Sequence, residues 1–383
     1  MFIIKWGDNM DKKHKIILMI LGIALGYAAG FGGGKLLRYL FPDKKASFLI
    51  IGLIIVLVLF FSIAIHEMGH FIGFKYNKIP VRMLNIYILS LIFDGSKWNL
   101  KFNHNGGNVG GIVVPNLKPV NSHKEFKENQ KANARAILGG PIASLLLVIL
   151  GNFLLAKDGY IAVIGLSLIG INVTTLLTCF IKTENVYADF PAYKAYKEDD
   201  FFVALMLYQY AAFAVDYKDV IENNGYLRDL LLEGLLPRIN NRQLDLFTVS
   251  CVTTFIEGYL AGIIDEMPKD IRNYIDYYYN NYEFILEEAG QEANKQLLLY
   301  ISYFYKKEGN LDKAVDIYDN FTLKLPKTEI SHYWKTQSEQ LILGKDNSDY
   351  LLNKHNIKPN SNYNIFKKLE GFYYYDLIIN QKF

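Results

Sequence analysis

Residues 48–72 read FLIIGLIIVLVLFFSIAIHEMGHFI. From Phe48 to Ile65 the only polar residue is Ser62. A helix of about 20 apolar residues crosses a bilayer, and this run approaches that length before it continues into His66-Glu67-Met68-Gly69-His70. Ionisable groups at a membrane span are costly and are kept mainly for function. Residues four apart share a helix face, so His66 and His70 can hold one metal ion. Glu67, beside the first imidazole, can reach a water on that metal and take its proton. The plainer alternative is a helix end whose histidines face lipid headgroups.

Composition agrees with a membrane protein. The chain has 383 residues and is 51% hydrophobic, with a mean hydropathy of +0.10. A net charge of +3 gives no field that would draw nucleic acid. Cys179 and Cys251 are too few for a disulfide framework or a cysteine zinc site.

Working outward, Ile16–Gly34 follows Lys12, Lys13, His14 and Lys15. It exceeds a normal signal core, and Gly22, Gly26 and Gly30 free one helix face for close packing. It is expected to be a retained anchor. Downstream, Ala134–Ala156 and Tyr160–Lys182 are apolar and separated only by Lys157-Asp158-Gly159, which predicts a transmembrane hairpin. Lys75, Lys78, Arg82, Lys97, Lys101, Lys118, Lys124, Lys127 and Lys131 crowd the long loop, whereas the short turn carries Lys157 alone. Cytoplasmic loops collect such cations. The long loop and both termini are therefore expected in the cytoplasm, against the opposing weight of Lys35, Arg38, Lys44 and Lys45.

Within the loop, Leu84–Phe93 is apolar but too short to span, so a re-entrant, interfacial or buried segment is expected. Trp98–Phe102 and Ile112–Val114 flank an Asn/Gly cluster, Asn105 to Gly111, which predicts a β-hairpin. From about Asp189 the chain reads as a soluble helical domain. Asn310, Leu311, Ala314 and Tyr318 look like the second half of a tetratricopeptide helix pair, although one copy is not an array. The expected fold is thus all-α: about four transmembrane helices, a small membrane-associated β-hairpin and an α-helical C-terminal domain. Its divisions are an N-terminal anchor and outer loop (1–47), a membrane core (48–195) and a cytoplasmic helical domain (196–383).

A catalytic zinc needs a third protein ligand and an open position. No third histidine follows at short spacing, so that ligand comes from afar. Asp189 follows the last apolar run and lies at the same membrane face as His66 and His70. Asp94, Glu125, Glu128 and Glu184 compete with it.

At this point the chain resembles the site-2 protease family of intramembrane zinc metalloproteases, over about residues 48–195. The resemblance rests on HEMGH (66–70), GGPIAS (139–144) and the Asp in VYADFPAYKAY (186–196), where Phe190 replaces the family's usual Gly. It implies one Zn2+ per chain held by His66, His70 and Asp189, with Glu67 as general base. It also implies close packing of Gly139-Gly140-Pro141 near the metal. Asn172, in GINVTT, would position a substrate carbonyl or simply pack between helices. The 98–114 element, with Gly110 and Gly111 as candidate substrate contacts, would offer a strand edge to an unwound peptide. The implied partners are a membrane-embedded peptide or single-span protein, the lipid bilayer and a protein partner of the helical domain. The rival expectations are a membrane zincin with a glutamate third ligand and a non-catalytic membrane adaptor.

Overall fold

The structure is a computed structural model that describes residues 41, 47–102, 110–183, 187–289, 292–357 and 366–382. The expected anchor Ile16–Gly34, most of the Asn/Gly cluster and Glu184 lie outside the described residues.

Ser47 caps the first described helix, α1 (Phe48–Tyr76), by accepting from the Ile50 N–H. Its buried residues are Val58, Ser62, His66, His70 and Phe74, one in every four. That stripe is the most buried part of the helix, whereas Phe48, Leu49, Leu53, Leu57 and Phe61 point outward. An outward apolar surface of this kind is what lipid requires. From Phe48 to His66 the axis rises about 27 Å at 1.5 Å per residue, so the histidines fall near the far edge of a hydrocarbon layer about 30 Å thick.

Helix α2 (His123–Ile137) is polar and is capped at its start: Ser122 Oγ accepts from Glu125 N, and Glu125 Oε2 accepts from Asn121 N. It bends at Leu138 into apolar α3 (Gly139–Leu155). The turn Lys157–Gly159, with Gly159 at φ +64°, leads to α4 (Tyr160–Thr178). Helices α3 and α4 pack closely where Gly151 faces the Gly165 carbonyl. Among the described residues, three helical stretches are long and apolar enough to cross a membrane: Phe48–Tyr76, His123–Leu155 and Tyr160–Thr178. The last expected run ends four residues early, because Cys179 to Ile181 leave the helix.

The expected β-hairpin is corrected to a four-stranded antiparallel sheet in the order β3-β2-β1-β4, built from β1 (Val81–Ile86), β2 (Leu89–Phe93), β3 (Trp98–Phe102) and β4 (Gly111–Pro115). Strands β3 and β4, expected to pair, lie at opposite edges. The apolar segment 84–93 is instead the central hairpin, turning at Tyr87 and Ile88. Side chains alternate between faces along each strand. Met83 and Val114 pack with Phe213, Phe366 and Leu369, whereas Leu84 and Val113 pack with Phe74 and Ala136. The sheet is therefore a two-sided filler between the spanning helices and the helical half.

From α5 (Asp189–Glu198) and α6 (Asp200–Ala211) onward, every regular element described is helical. After α7 (Tyr217–Glu222), α8 (Gly225–Asn240), α9 (Leu246–Ala261), α10 (Lys269–Asn280) and α11 (Tyr282–Ala289) comes α12 (Glu292–Lys307), buried continuously from Leu297 to Tyr305. A helix apolar on every side is a central helix. One continuous core joins Leu117, Val120, Phe126 and Ala134, at and before α2, to residues as distant as Ile379. Lys127 and Gln130 of α2 also bind Asp200 at the start of α6.

Candidate metal centre

The helical spacing of HEMGH turns both imidazoles to the buried side of α1. His66 Nε2 and His70 Nε2 lie 3.2 Å apart. Asp189, in the first turn of α5, brings Oδ2 to 3.3 Å from His66 Nε2 and Oδ1 to 3.6 Å from His70 Nε2. Tetrahedral bonds of about 2.0–2.2 Å place ligand atoms roughly 3.3–3.6 Å apart. The three donors thus have the spacing of a shared ion and form a group able to hold one. Two imidazoles and a carboxylate are donors suited to zinc.

Each donor is oriented from behind. His66 Nδ1 is 2.9 Å from Ser144 Oγ, and His70 Nδ1 is 3.4 Å from the Ala136 carbonyl. The Gly140 N–H also approaches His70 Nδ1, at 3.3 Å, so the ring is held between the Ala136 carbonyl and the Gly140 amide. The Cys179 thiol donates to Asp189 Oδ2 across 3.2 Å. Burial opposes ionisation of Asp189, yet the facing imidazoles and this thiol keep its carboxyl below the ordinary range.

Close backbone approach makes room for the group. A Cβ on Gly140 would overlap His70 Nε2 and lie 2.6 Å from His66 Nε2. Gly139 abuts the Gly69 carbonyl, and Gly73 abuts Ala136. Gly69 and Gly73, four residues apart, form a smooth face on α1. Sequence reasoning missed this pair, although the spacing was visible. It also missed Ser144, inside the quoted GGPIAS, and Cys179, for which no local signal exists.

Glu67 lies beside the histidines against the start of β4, where a Cβ on Gly111 would overlap its Cγ. Gly110 has open space on its Cβ side and accepts from the Tyr87 N–H. A cavity of about 370 Å3 joins His66, Glu67, His70 and Asp189 to the β4 edge (Gly111–Val113) and to an aromatic wall from α5, α6 and α9. Asn172 is not on this cavity. Fully buried, it donates to Ser62 Oγ and to the Leu168 carbonyl, 2.9 Å each, and ties α4 to α1. Of the competing acids, Glu125 caps α2, Glu128 is exposed and Asp94 accepts bonds within its own turn.

A three-donor group with a neighbouring carboxylate, set where apolar helices meet a cavity, is an arrangement a membrane metallopeptidase could use. The sequence gives the same answer independently: the family model described as Peptidase family M50 matches residues 54–351. The chain belongs to peptidase family M50, the site-2 protease family of membrane metalloproteases. The match runs far beyond residue 195 and takes in most of the helical half. No curated protein and no solved structure matches the chain significantly.

Proposed function

We propose that the protein is an intramembrane zinc endopeptidase that hydrolyses a peptide bond in a membrane-spanning or otherwise hydrophobic peptide. The observation that carries this reading is the convergence of His66, His70 and Asp189 on one point beside Glu67. These three side chains would hold the ion, one per chain. Zinc supplies Lewis-acid polarisation of a carbonyl and a water acidic enough to react near neutral pH. Glu67 takes the proton from the attacking water and gives it to the departing amine as the C–N bond breaks. Ser144, the Ala136 carbonyl and Cys179 keep the donors in register.

Before a peptide bond can be attacked, a helical substrate must give up backbone hydrogen bonds where it enters the cavity. The β4 edge lies along it, and a strand added there would replace the backbone bonds an unwinding helix loses. Gly111 belongs to that edge. With the long loop and helical half in the cytoplasm, cleavage would occur at the inner membrane surface. A tetratricopeptide-like role in partner binding for α12 and α13 (Leu311–Asn320) is a separate proposal, resting on their helix–turn–helix pairing.

Glu67→Gln tests the assignment. The variant should retain zinc and lose cleavage of a detergent-solubilised membrane peptide by about 100-fold or more. Undiminished cleavage would exclude Glu67 as the base and with it this mechanism.

A further inference from the structure

The aromatic wall of the cavity has a pattern that metal binding does not require. On α5, Asp189, Ala192 and Tyr196 line the cavity at spacings of three and four, so one helix face carries both the acidic donor and a large ring. On α6, Phe202, Met206 and Tyr210 do the same at spacings of four. Tyr187 and Phe247 close the box: Tyr187 stacks on Phe202 at 5.4 Å and meets Phe247 edge-on at 5.3 Å. Phe202 also meets Tyr196 at 5.3 Å and Phe247 at 5.7 Å. The Tyr196 and Tyr210 hydroxyls bond each other, and burial pushes both phenols up, so they stay neutral. What they leave toward the cavity is an uncharged aromatic surface.

We propose that this box is the specificity pocket of the peptidase, and that it takes a large apolar side chain, Phe or Leu, adjoining the scissile bond. The inference rests on the protease reading above and deepens it. Two features beyond the apolar lining identify the occupant. The box is continuous with the His66/His70/Asp189 group in one cavity, so whatever fills it lies next to the reacting bond. The β4 edge borders the same cavity, and a strand added there directs alternate side chains to opposite sides. A substrate side chain on the cavity side of that strand would fill the box. The pocket is therefore built from both sides of residue 195, and the helical half acts as part of the active site.

The test uses purified full-length protein and membrane peptides that differ only at the residues flanking the scissile bond, carrying Ala, Leu, Phe, Trp or Asp. At one flanking position, Phe or Leu should exceed Ala in kcat/KM by roughly 10-fold or more, with Asp poorest. Met206→Trp, which fills the box, should shift that preference toward Ala. Phe247→Ala, which enlarges it, should shift it toward Trp. In parallel, Glu67→Gln protein is irradiated with a peptide bearing benzoylphenylalanine at the same position, and crosslinks should map to the box. Equal rates for all side chains, an unchanged ranking in both variants, or crosslinks elsewhere would overturn the pocket while leaving the protease standing. Crosslinks in the box without cleavage by the wild type would overturn the protease and keep the pocket. Neither cleavage nor box crosslinks would overturn both.

Discussion

Gly140 leaves the space in which the two imidazoles and Asp189 would share one ion. A methyl group at its Cα would occupy the space of both Nε2 atoms, and neither ring can retreat, because each is also held through Nδ1. Gly140→Ala should therefore lower bound zinc by at least about 10-fold. Gly110→Ala, with nothing within 4 Å of the added carbon, should leave it unchanged. Metal analysis of the two purified variants decides the point, and equal zinc in both would contradict it. The histidine pair was legible in the sequence because helical spacing is a local rule. Ser144 and Cys179 were not, since a hydroxyl or thiol becomes an orienting partner only once helices cross. Asn172 shows the converse: an intramembrane Asn invites a functional reading, yet its donors are spent on Ser62 and Leu168.

The sheet was the least legible element. Its expected turn signal, the Asn/Gly cluster, separates two strands that do not pair with each other. The actual central turn places Tyr87 at φ +53°, a conformation unusual for a non-glycine residue and unmarked by composition. Tertiary contacts hold it there: the Tyr87 hydroxyl donates to the Leu59 carbonyl, 3.2 Å away, and its ring meets Phe60. The apolar run 84–93 has no clean alternation because β1 is covered on both faces, and because β2, which does alternate in burial, carries Leu89 and Leu91 on its exposed face. Met83, fully buried between the sheet and the helical half, measures that coupling. Met83→Ala should cost about 2–5 kcal/mol and lower the thermal midpoint in detergent, whereas Leu91→Ala, at 37% exposure, should cost much less. Equal midpoints for the two variants would mean the sheet does not tie the halves together.

Among the described residues, one cavity is lined from both halves of the chain. The histidines end a spanning helix and Asp189 opens α5, more than a hundred residues later, so no local pattern links them. Topology suggested Asp189 only as a neighbour of the histidines, and the fold brings the three donor groups together, with the Cys179 thiol against the Asp189 carboxylate. The division at residue 195 was drawn where hydropathy changes. The continuous core and the shared cavity cross that line, and so does the family match.

The central claim is that His66, His70 and Asp189 together hold one zinc ion. The most direct test is zinc per chain in purified full-length protein, measured for the wild type, Asp189→Ala and Glu125→Ala. The account predicts about one zinc in the wild type and in Glu125→Ala, and roughly 10-fold lower occupancy in Asp189→Ala. A metal-free wild type, or undiminished zinc in Asp189→Ala, would contradict it.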